Sequence, residues 1–240
     1  MSVEIVTENS VGEASVARSN RKAFDDARVF VVNVIGSAGC GKTSLLLAIL
    51  RGLGHATRVG VITAHPTSHK DADRMAALAG RVVHVSTVEG QCLTAGHARG
   101  ILDRLDLSKL DLLLVENLSS LVGPCDHDLG EHRRVAVFSV AGGDDKLTKY
   151  AHVVAWADVL LLNKTDLLAS FPFDLDRFRD EIRRINPQTA LFEVSALTGD
   201  GLAPFLAWLR WQSHKGPSAT AAPKQASTGT SDVAEIEESR

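Results

Sequence analysis

Residues 29–44 read Val29-Phe30-Val31-Val32-Asn33-Val34-Ile35-Gly36-Ser37-Ala38-Gly39-Cys40-Gly41-Lys42-Thr43-Ser44, and Leu45-Leu46-Leu47 follow. An apolar run that breaks into a glycine-rich turn and then into an apolar stretch of helical length reads as strand, loop and helix. The turn fits the spacing G-x-x-x-x-G-K-[ST]. Its glycines let successive main-chain N–H groups turn inward onto phosphate oxygens. The helix starting near Lys42 adds the positive end of its dipole. Lys42 brings a point charge to the β- and γ-phosphates, and the Thr43 hydroxyl is a ligand for Mg²⁺. Gly36, Ser37, Ala38, Gly39, Cys40, Gly41, Lys42, Thr43 and Ser44 are therefore the expected phosphate contacts. Cys40 reads as a small filler of the loop, not as a nucleophile. A chance match would lack the strand before it and the helix after it.

The same alternation continues outward. Further apolar runs lie at Arg58–Thr63, Arg81–Ser86, Asp111–Glu116, Val135–Val140, Asp158–Asn163 and Ala190–Val194. Most are rich in Val, Leu and Ile without strict polar alternation, as strands buried on both faces are. Stretches of helical length separate them, among them Lys42–Leu53, Ala95–Leu105 and Asp174–Ile185. This pattern predicts an α/β fold of the P-loop NTPase kind. Its sheet is mostly parallel, with about seven strands and helices on both faces.

The run Asp158–Asn163 ends in Asn163-Lys164-Thr165-Asp166. N-K-x-D at the carboxyl end of a late strand resembles the guanine-specificity motif of GTPases. The Asp166 carboxylate accepts from N1 and N2 of guanine, where adenine has no such donor pair. Bound to adenine, that carboxylate would be left unpaired at a cost. The aliphatic stem of Lys164 suits the face of the base. Ser195-Ala196-Leu197, after the last strand, is similar to the loop that meets the guanine carbonyl through main-chain N–H groups. A plain strand-ending turn explains N-K-x-D alone less well once the phosphate loop and the S-A-L segment accompany it.

At 240 residues the chain is long enough for one sizeable domain. Residues 1–20 are polar and small, and read as a flexible segment with a helical turn or two near Val16–Phe24. Residues 21–212 form the G domain. Residues 213–240 offer almost nothing to bury and read as a disordered tail. A net charge of −3 gives no reason to expect a nucleic-acid partner. No stretch approaches the roughly 18 apolar residues of a membrane span, and no secretory signal pattern opens the chain. Three cysteines argue against a disulfide framework and suit a reducing cytoplasm.

Between about Asn20 and Trp211 these stretches together resemble one family, the HypB-type nickel-insertion GTPases of hydrogenase maturation, relatives of the urease accessory GTPase. Beyond the phosphate loop, the carriers are Asp71-Ala72-Asp73-Arg74, Val115-Glu116-Asn117 and Asp128-Leu129-Gly130-Glu131. Ser139-Val140, Gly143-Asp144-Asp145-Lys146, Leu161 through Leu168, Asn186-Pro187 and Ser195 through Gly201 complete them. The resemblance implies a Mg²⁺-dependent GTPase that forms a homodimer across its nucleotide faces. It implies delivery of Ni²⁺ to a metalloenzyme precursor, alone or with a nickel-insertion accessory protein. It also places Lys146 within reach of the partner's guanine, although an exposed charge explains Lys146 equally well.

The chain departs from that family where metal and switch residues belong. An adjacent Cys-His is expected after the third strand, and here Cys92 is followed by Leu93. A second cysteine is expected in E-N-V-G-N-L-V-C-P, and here Gly123 takes its place, with Cys125 and His127 just beyond. A shifted set of Cys92, His97, Cys125 and His127 has the thiolate and imidazole donors that Ni²⁺ or Zn²⁺ takes. Alternatively both cysteines are small buried residues and both histidines are solvated. E-G-D is expected after the second strand, and Thr63-Ala64-His65 stands there with no carboxylate. Ser119 stands at the expected switch glycine. Glu116, at a strand end, is the expected carboxylate for Mg²⁺ or its water.

Lys42, Thr43 and Glu116 are thus the expected catalytic groups, and the reaction is attack of water on the γ-phosphate. Three functions compete: a GTPase that delivers nickel, a nucleotide-gated scaffold module that has lost catalysis or metal transfer, and a metal-chaperone GTPase serving another metalloenzyme.

Overall fold

All seven apolar runs become strands of one parallel sheet, in the order β3-β2-β4-β1-β5-β6-β7. The strands are β1 Phe30–Gly36, β2 Val59–Thr63, β3 Arg81–His84, β4 Leu112–Glu116, β5 Arg133–Ser139, β6 Val159–Asn163 and β7 Ala190–Glu193. The helices are α1 Ser10–Ala27, α2 Lys42–Leu53, α3 His69–Ala76, α4 Ala95–Leu102, α5 Lys146–Lys149, α6 Ala151–Trp156, α7 Leu175–Ile185 and α8 Leu202–Lys215. The computed structural model describes residues 10–64, 69–85, 92–102, 104–117 and 127–215.

Alternate residues of each central strand enter different cores, as the period of two requires. Phe30, Val32 and Val34 of β1, Leu112 and Leu114 of β4, and Val135 and Val137 of β5 face Leu46, Leu50, Phe205 and Leu209 of α2 and α8. On the opposite face, Val29, Val31, Leu113 and Val115 meet Phe24 of α1 and Ala98 and Ile101 of α4. On that same face further along, Ala136, Phe138, Leu160 and Leu162 meet Phe178 and Ile182 of α7. Helices therefore cover both faces, which is why the strands read as unbroken apolar runs. Helix α7 starts cleanly because the Asp174 carboxylate accepts the Arg177 N–H at 2.9 Å.

The amino-terminal segment differs from the expectation. Residues 10–20 are helical, and α1 runs eighteen residues instead of a turn or two. Its buried side chains are Ala17, Asn20 and Phe24, spaced to share one face. Two of the three are small or polar, so the apolar period that announces a helix is faint. The helix ends with Arg28 at φ 59°, Arg28 N–H on the Asp25 carbonyl and Val29 N–H on the Phe24 carbonyl. At the other end, α8 carries helix to Lys215, past the expected boundary at 212. The rest of the expected tail lies outside the described residues.

Below β5, a buried histidine ties α1 to the sheet. His132 Nδ1 accepts the Val31 N–H at 2.9 Å, and its Nε2 stands 2.9 Å from an Asp25 carboxylate oxygen. An accepting Nδ1 fixes the neutral tautomer, with its hydrogen on Nε2. Burial holds the His132 pKa down to about 4, against the pull of Asp25. The unfolded chain therefore binds the proton first. This imidazole's contribution is full above about pH 6.5 and is lost as pH falls toward about 4, a change of about 3 kcal/mol at most. Urea unfolding of wild type and His132→Asn between pH 7 and 4.5 checks this. Wild type is expected to lose stability more steeply than the variant across that window, and parallel slopes contradict the assignment.

Candidate functional site

The phosphate loop leaves the carboxyl end of β1, flanked by β4 on one side and β5 on the other. The chain places β2 to β4 on one side of β1 and β5 to β7 on the other. A crevice at such a reversal is where open α/β sheets take ligands. Gly36, Glu116 and Asn163 are the last residues of β1, β4 and β6. Ser195 follows β7 by two residues, so every expected nucleotide residue sits on this one edge.

Within the loop, Gly41 holds φ 94° as the residue before α2. A side chain there would have its Cβ 2.6 Å from Asn163 Nδ2. Glycine is thus required twice, for the left-handed backbone and for the approach of Asn163. Asn163 Nδ2 donates to the Cys40 carbonyl at 3.0 Å, and its Oδ1 accepts the Ala196 N–H at 3.0 Å. One buried amide thereby joins the phosphate loop to the S-A-L segment. Lys164, itself left-handed at φ 63°, donates from Nζ to the Gly39 carbonyl at 2.8 Å. A non-glycine residue in that conformation is strained, and such residues gather at functional sites.

Lys42 is buried, and its ammonium donates to the Gly36 carbonyl at 3.0 Å and the Ser37 carbonyl at 3.4 Å. Burial pulls its pKa below the ordinary lysine range, while Cys40 and Glu116 oppose the shift. The Cys40 thiol is pushed up by burial, which fits a filler and not a nucleophile. Thr43 Oγ1 donates to Glu116 Oε1 at 2.6 Å. This brings together the two residues that the sequence nominates for Mg²⁺. A hydroxyl and a buried carboxylate are the hard oxygen donors that this ion takes.

On the base side, Ser195 Oγ donates to Asp166 Oδ1 at 2.6 Å and accepts the Thr198 N–H at 3.1 Å. The exposed Asp166 carboxylate is therefore aimed by a buried serine. Two of the three S-A-L main-chain N–H groups are engaged within the protein. The Ser195 N–H goes to the Asp200 carbonyl at 2.9 Å, and that of Ala196 to Asn163. Leu197 is left as the exposed member of the loop, with 85 % of its surface open.

The metal set is only partly brought into view. Cys92 is half-buried and disulfide-bonded, which the low cysteine count did not predict. A disulfide sulfur is no thiolate, so Cys92 is a metal ligand only in the reduced chain. His97 Nδ1 accepts the Thr94 N–H at 3.2 Å at the start of α4, which leaves Nε2 as its donor to a metal. His127 is half-buried, and Cys125 lies outside the described residues, as do His65 and Ser119. Among the described residues, no three His, Cys, Asp or Glu side chains gather into a group that holds a metal ion.

Two arrangements escaped the sequence reading. Asn117 Oδ1 accepts the Leu93 N–H at 2.9 Å, linking the residue after Glu116 to the residue after Cys92. Thr63, at the first position of the expected E-G-D, is buried and its hydroxyl lies 3.0 Å from His84 Nδ1. A hydrophilic residue beside an apolar strand end was the available signal in both cases.

The sequence model described as "CobW/HypB/UreG, nucleotide-binding domain" matches residues 30–193. The hydrogenase maturation factor HypB of Azotobacter vinelandii is 39 % identical over 196 residues, 82 % of this chain and 65 % of that protein. The Escherichia coli (strain K12) factor is 36 % identical over 197 residues, 82 % of this chain and 68 % of that one. The chain thus spans only about two thirds of these relatives' length. The crystal structure of HypB from Archaeoglobus fulgidus superposes with TM-score 0.79 at 29 % identity, covering 84 % of this chain and 98 % of the other. That of HypB from Helicobacter pylori in complex with nickel shares the fold, with TM-score 0.80 at 23 % identity over 89 % of this chain and 100 % of the other. Among the described residues no helix is long and apolar enough to cross a membrane.

Proposed function

This chain belongs to the CobW/HypB/UreG nucleotide-binding family, and from that premise we propose that it binds and hydrolyses GTP as a metallochaperone for nickel insertion into a hydrogenase precursor. The observation that carries the guanine reading is the Ser195-aimed Asp166 carboxylate, joined to the phosphate loop through Asn163. The loop from Gly36 to Ser44 holds the phosphates through main-chain N–H groups and the helix end. Lys42 lies beside the loop carbonyls, where its charge meets the β- and γ-oxygens. Thr43 and Glu116, 2.6 Å apart, would hold Mg²⁺, which would neutralise part of the phosphate charge. Lys42 stabilises the charge that grows on the departing diphosphate.

Nickel, or zinc in its place, is the cargo in this reading. Cys92 and Cys125 are its thiolate ligands, and His97 and His127 its imidazole ligands. The working unit is a homodimer in the cytoplasm that meets a metalloenzyme precursor or a nickel-insertion accessory protein. No nucleic-acid or membrane surface enters the proposal. A nucleotide-gated module without turnover is the second reading, favoured by Thr63-Ala64-His65 in place of E-G-D, which leaves no carboxylate there.

Anaerobic phosphate-release assays on the reduced chain, with and without stoichiometric Ni²⁺ or Zn²⁺, decide between them. Release from GTP and none from ATP supports the GTPase reading, and no release with GTP bound supports the gated module. In the same samples, nickel binding is expected in the reduced wild type and lost in a Cys92→Ala/Cys125→Ala variant and after oxidation to the disulfide. Metal binding indifferent to both changes removes the four-residue site from the account.

A further inference from the structure

Helix α1 makes an unusual set of contacts for a helix that merely covers a sheet. Its polar side chains reach main-chain groups at two places far apart in sequence. Asn20 is fully buried, and its Nδ2 donates both to the Ala95 carbonyl at 2.9 Å and to the Leu129 carbonyl at 3.0 Å. Two hydrogen bonds from one amide nitrogen hold those carbonyl oxygens within about 5 Å of each other. About two turns earlier, Glu13 accepts the Ala95 N–H at 2.7 Å and the Gly96 N–H at 3.3 Å. It thereby caps α4 with a negative charge. One residue later than Asn20, Arg21 donates from Nε to the Gly130 carbonyl at 2.7 Å and from its guanidinium to the Glu131 carbonyl.

The approach is close enough to require glycine on the other side. Gly130 has φ 92°, and a Cβ there would lie 2.6 Å from the Ala17 carbonyl oxygen. The cost of the arrangement is visible as well. Asn20 Oδ1 is buried without a hydrogen-bond partner among the described residues. A leucine of similar volume would avoid that penalty. The amide therefore serves through its two donors, not through its packing.

What those donors join is specific. Ala95 is three residues after Cys92, and Leu129 is two residues after His127. Between Cys92 and Ala95, Leu93 N–H is held by Asn117, the neighbour of Glu116. The segment is thus gripped from one side by the nucleotide edge of the sheet and from the other by α1. We propose that α1 is a clasp whose Asn20 sets the separation of the Cys92 and His127 segments, and so acts as a positioning residue for the metal site. This rests on the reading that these segments carry metal ligands. Ligand distances for a transition metal tolerate only tenths of an ångström, so a clasp that fixes the two chain ends acts on affinity without touching the ion.

The test uses the reduced full chain, titrated with Ni²⁺ and followed by its thiolate-to-nickel charge-transfer absorption, with GTP affinity and thermal midpoint measured alongside. In Asn20→Leu the nickel affinity is expected to fall about tenfold or more, with an altered charge-transfer spectrum and GTP affinity within about twofold of wild type. Glu13→Ala, on the exposed side of the clasp, is expected to shift nickel affinity in the same direction by less. It serves if Asn20→Leu does not fold. Wild-type affinity and spectrum in the variants, beside a wild type that binds nickel, overturn the clasp alone. A reduced wild type that binds no nickel overturns both the clasp and the metal reading beneath it.

Discussion

Alanine in place of Lys42 is expected to lower single-turnover GTP hydrolysis by about a hundred- to a thousandfold, the scale set by removing one preorganised stabilising group from a site of this type. The reason is positional. The ammonium sits at the root of the loop, held by the Gly36 and Ser37 carbonyls. The charge that develops at the β–γ bridge has no other lysine or arginine assigned to it within this chain. The variant should remain folded. Burial disfavours the charged form of Lys42, so its removal relieves a desolvation penalty that offsets the lost hydrogen bonds. An unchanged thermal midpoint with collapsed turnover is the predicted pair of results. Turnover retained within a few-fold would mean that the hydrolytic centre lies elsewhere or that the charge comes from a partner.

Asparagine in place of Asp166 should change which base the site accepts instead of destroying the site. In wild type the carboxylate presents two acceptors to the two donors of guanine. The amide presents one acceptor and one donor, so one guanine contact becomes a donor facing a donor. A loss of about 2–4 kcal/mol in GTP binding is expected, the cost of one charge-assisted bond and one unpaired group. Xanthine carries a carbonyl where guanine carries its amino group, so xanthosine triphosphate should gain affinity in the same variant. Ser195 Oγ, 2.6 Å from Asp166 Oδ1, keeps an acceptor in the amide oxygen, so the loop should keep its shape. Calorimetric titration of both nucleotides on wild type and variant measures the exchange. Equal loss with both bases would point to a collapsed loop, and no loss with GTP would remove Asp166 from base recognition.

The strands were legible because burial on two faces leaves little choice of residue: Leu112-Leu113-Leu114-Val115 and Leu160-Leu161-Leu162 have cores above and below them. β5 begins earlier than the apolar run because Arg133 and Arg134 enter the strand with their charges answered. The Arg134 guanidinium pairs with the buried Glu131 at 2.5 Å, and that of Arg133 lies 3.9 Å from Asp158. The first partner is three residues away and the second lies just ahead of the distant β6, and neither is part of an apolar pattern. The phosphate loop and N-K-x-D were legible because each is a contiguous motif with a geometric reason for its spacing. The Ser195–Asp166 bond, the Asn163 bridge and the Asn117–Leu93 link were not, since each joins residues more than twenty positions apart. The α1 clasp was hidden for a second reason. A helix that docks through Ala17, Asn20 and hydrogen bonds to carbonyls carries almost no hydrophobic signature. The metal residues were readable as candidates by type alone. Their grouping is a property of loops whose course the apolar pattern does not encode.

The account stands on guanine selection by a loop-and-carboxylate site. The measurement that reaches it most directly is the isothermal titration of the wild-type chain with GTP and with ATP, each with Mg²⁺ in excess. The prediction is saturable binding of GTP and at least about a thousandfold weaker binding of ATP, the discrimination expected of a site whose polar groups are built to be hydrogen-bonded. Comparable affinities for the two nucleotides, or heat from neither, would contradict it.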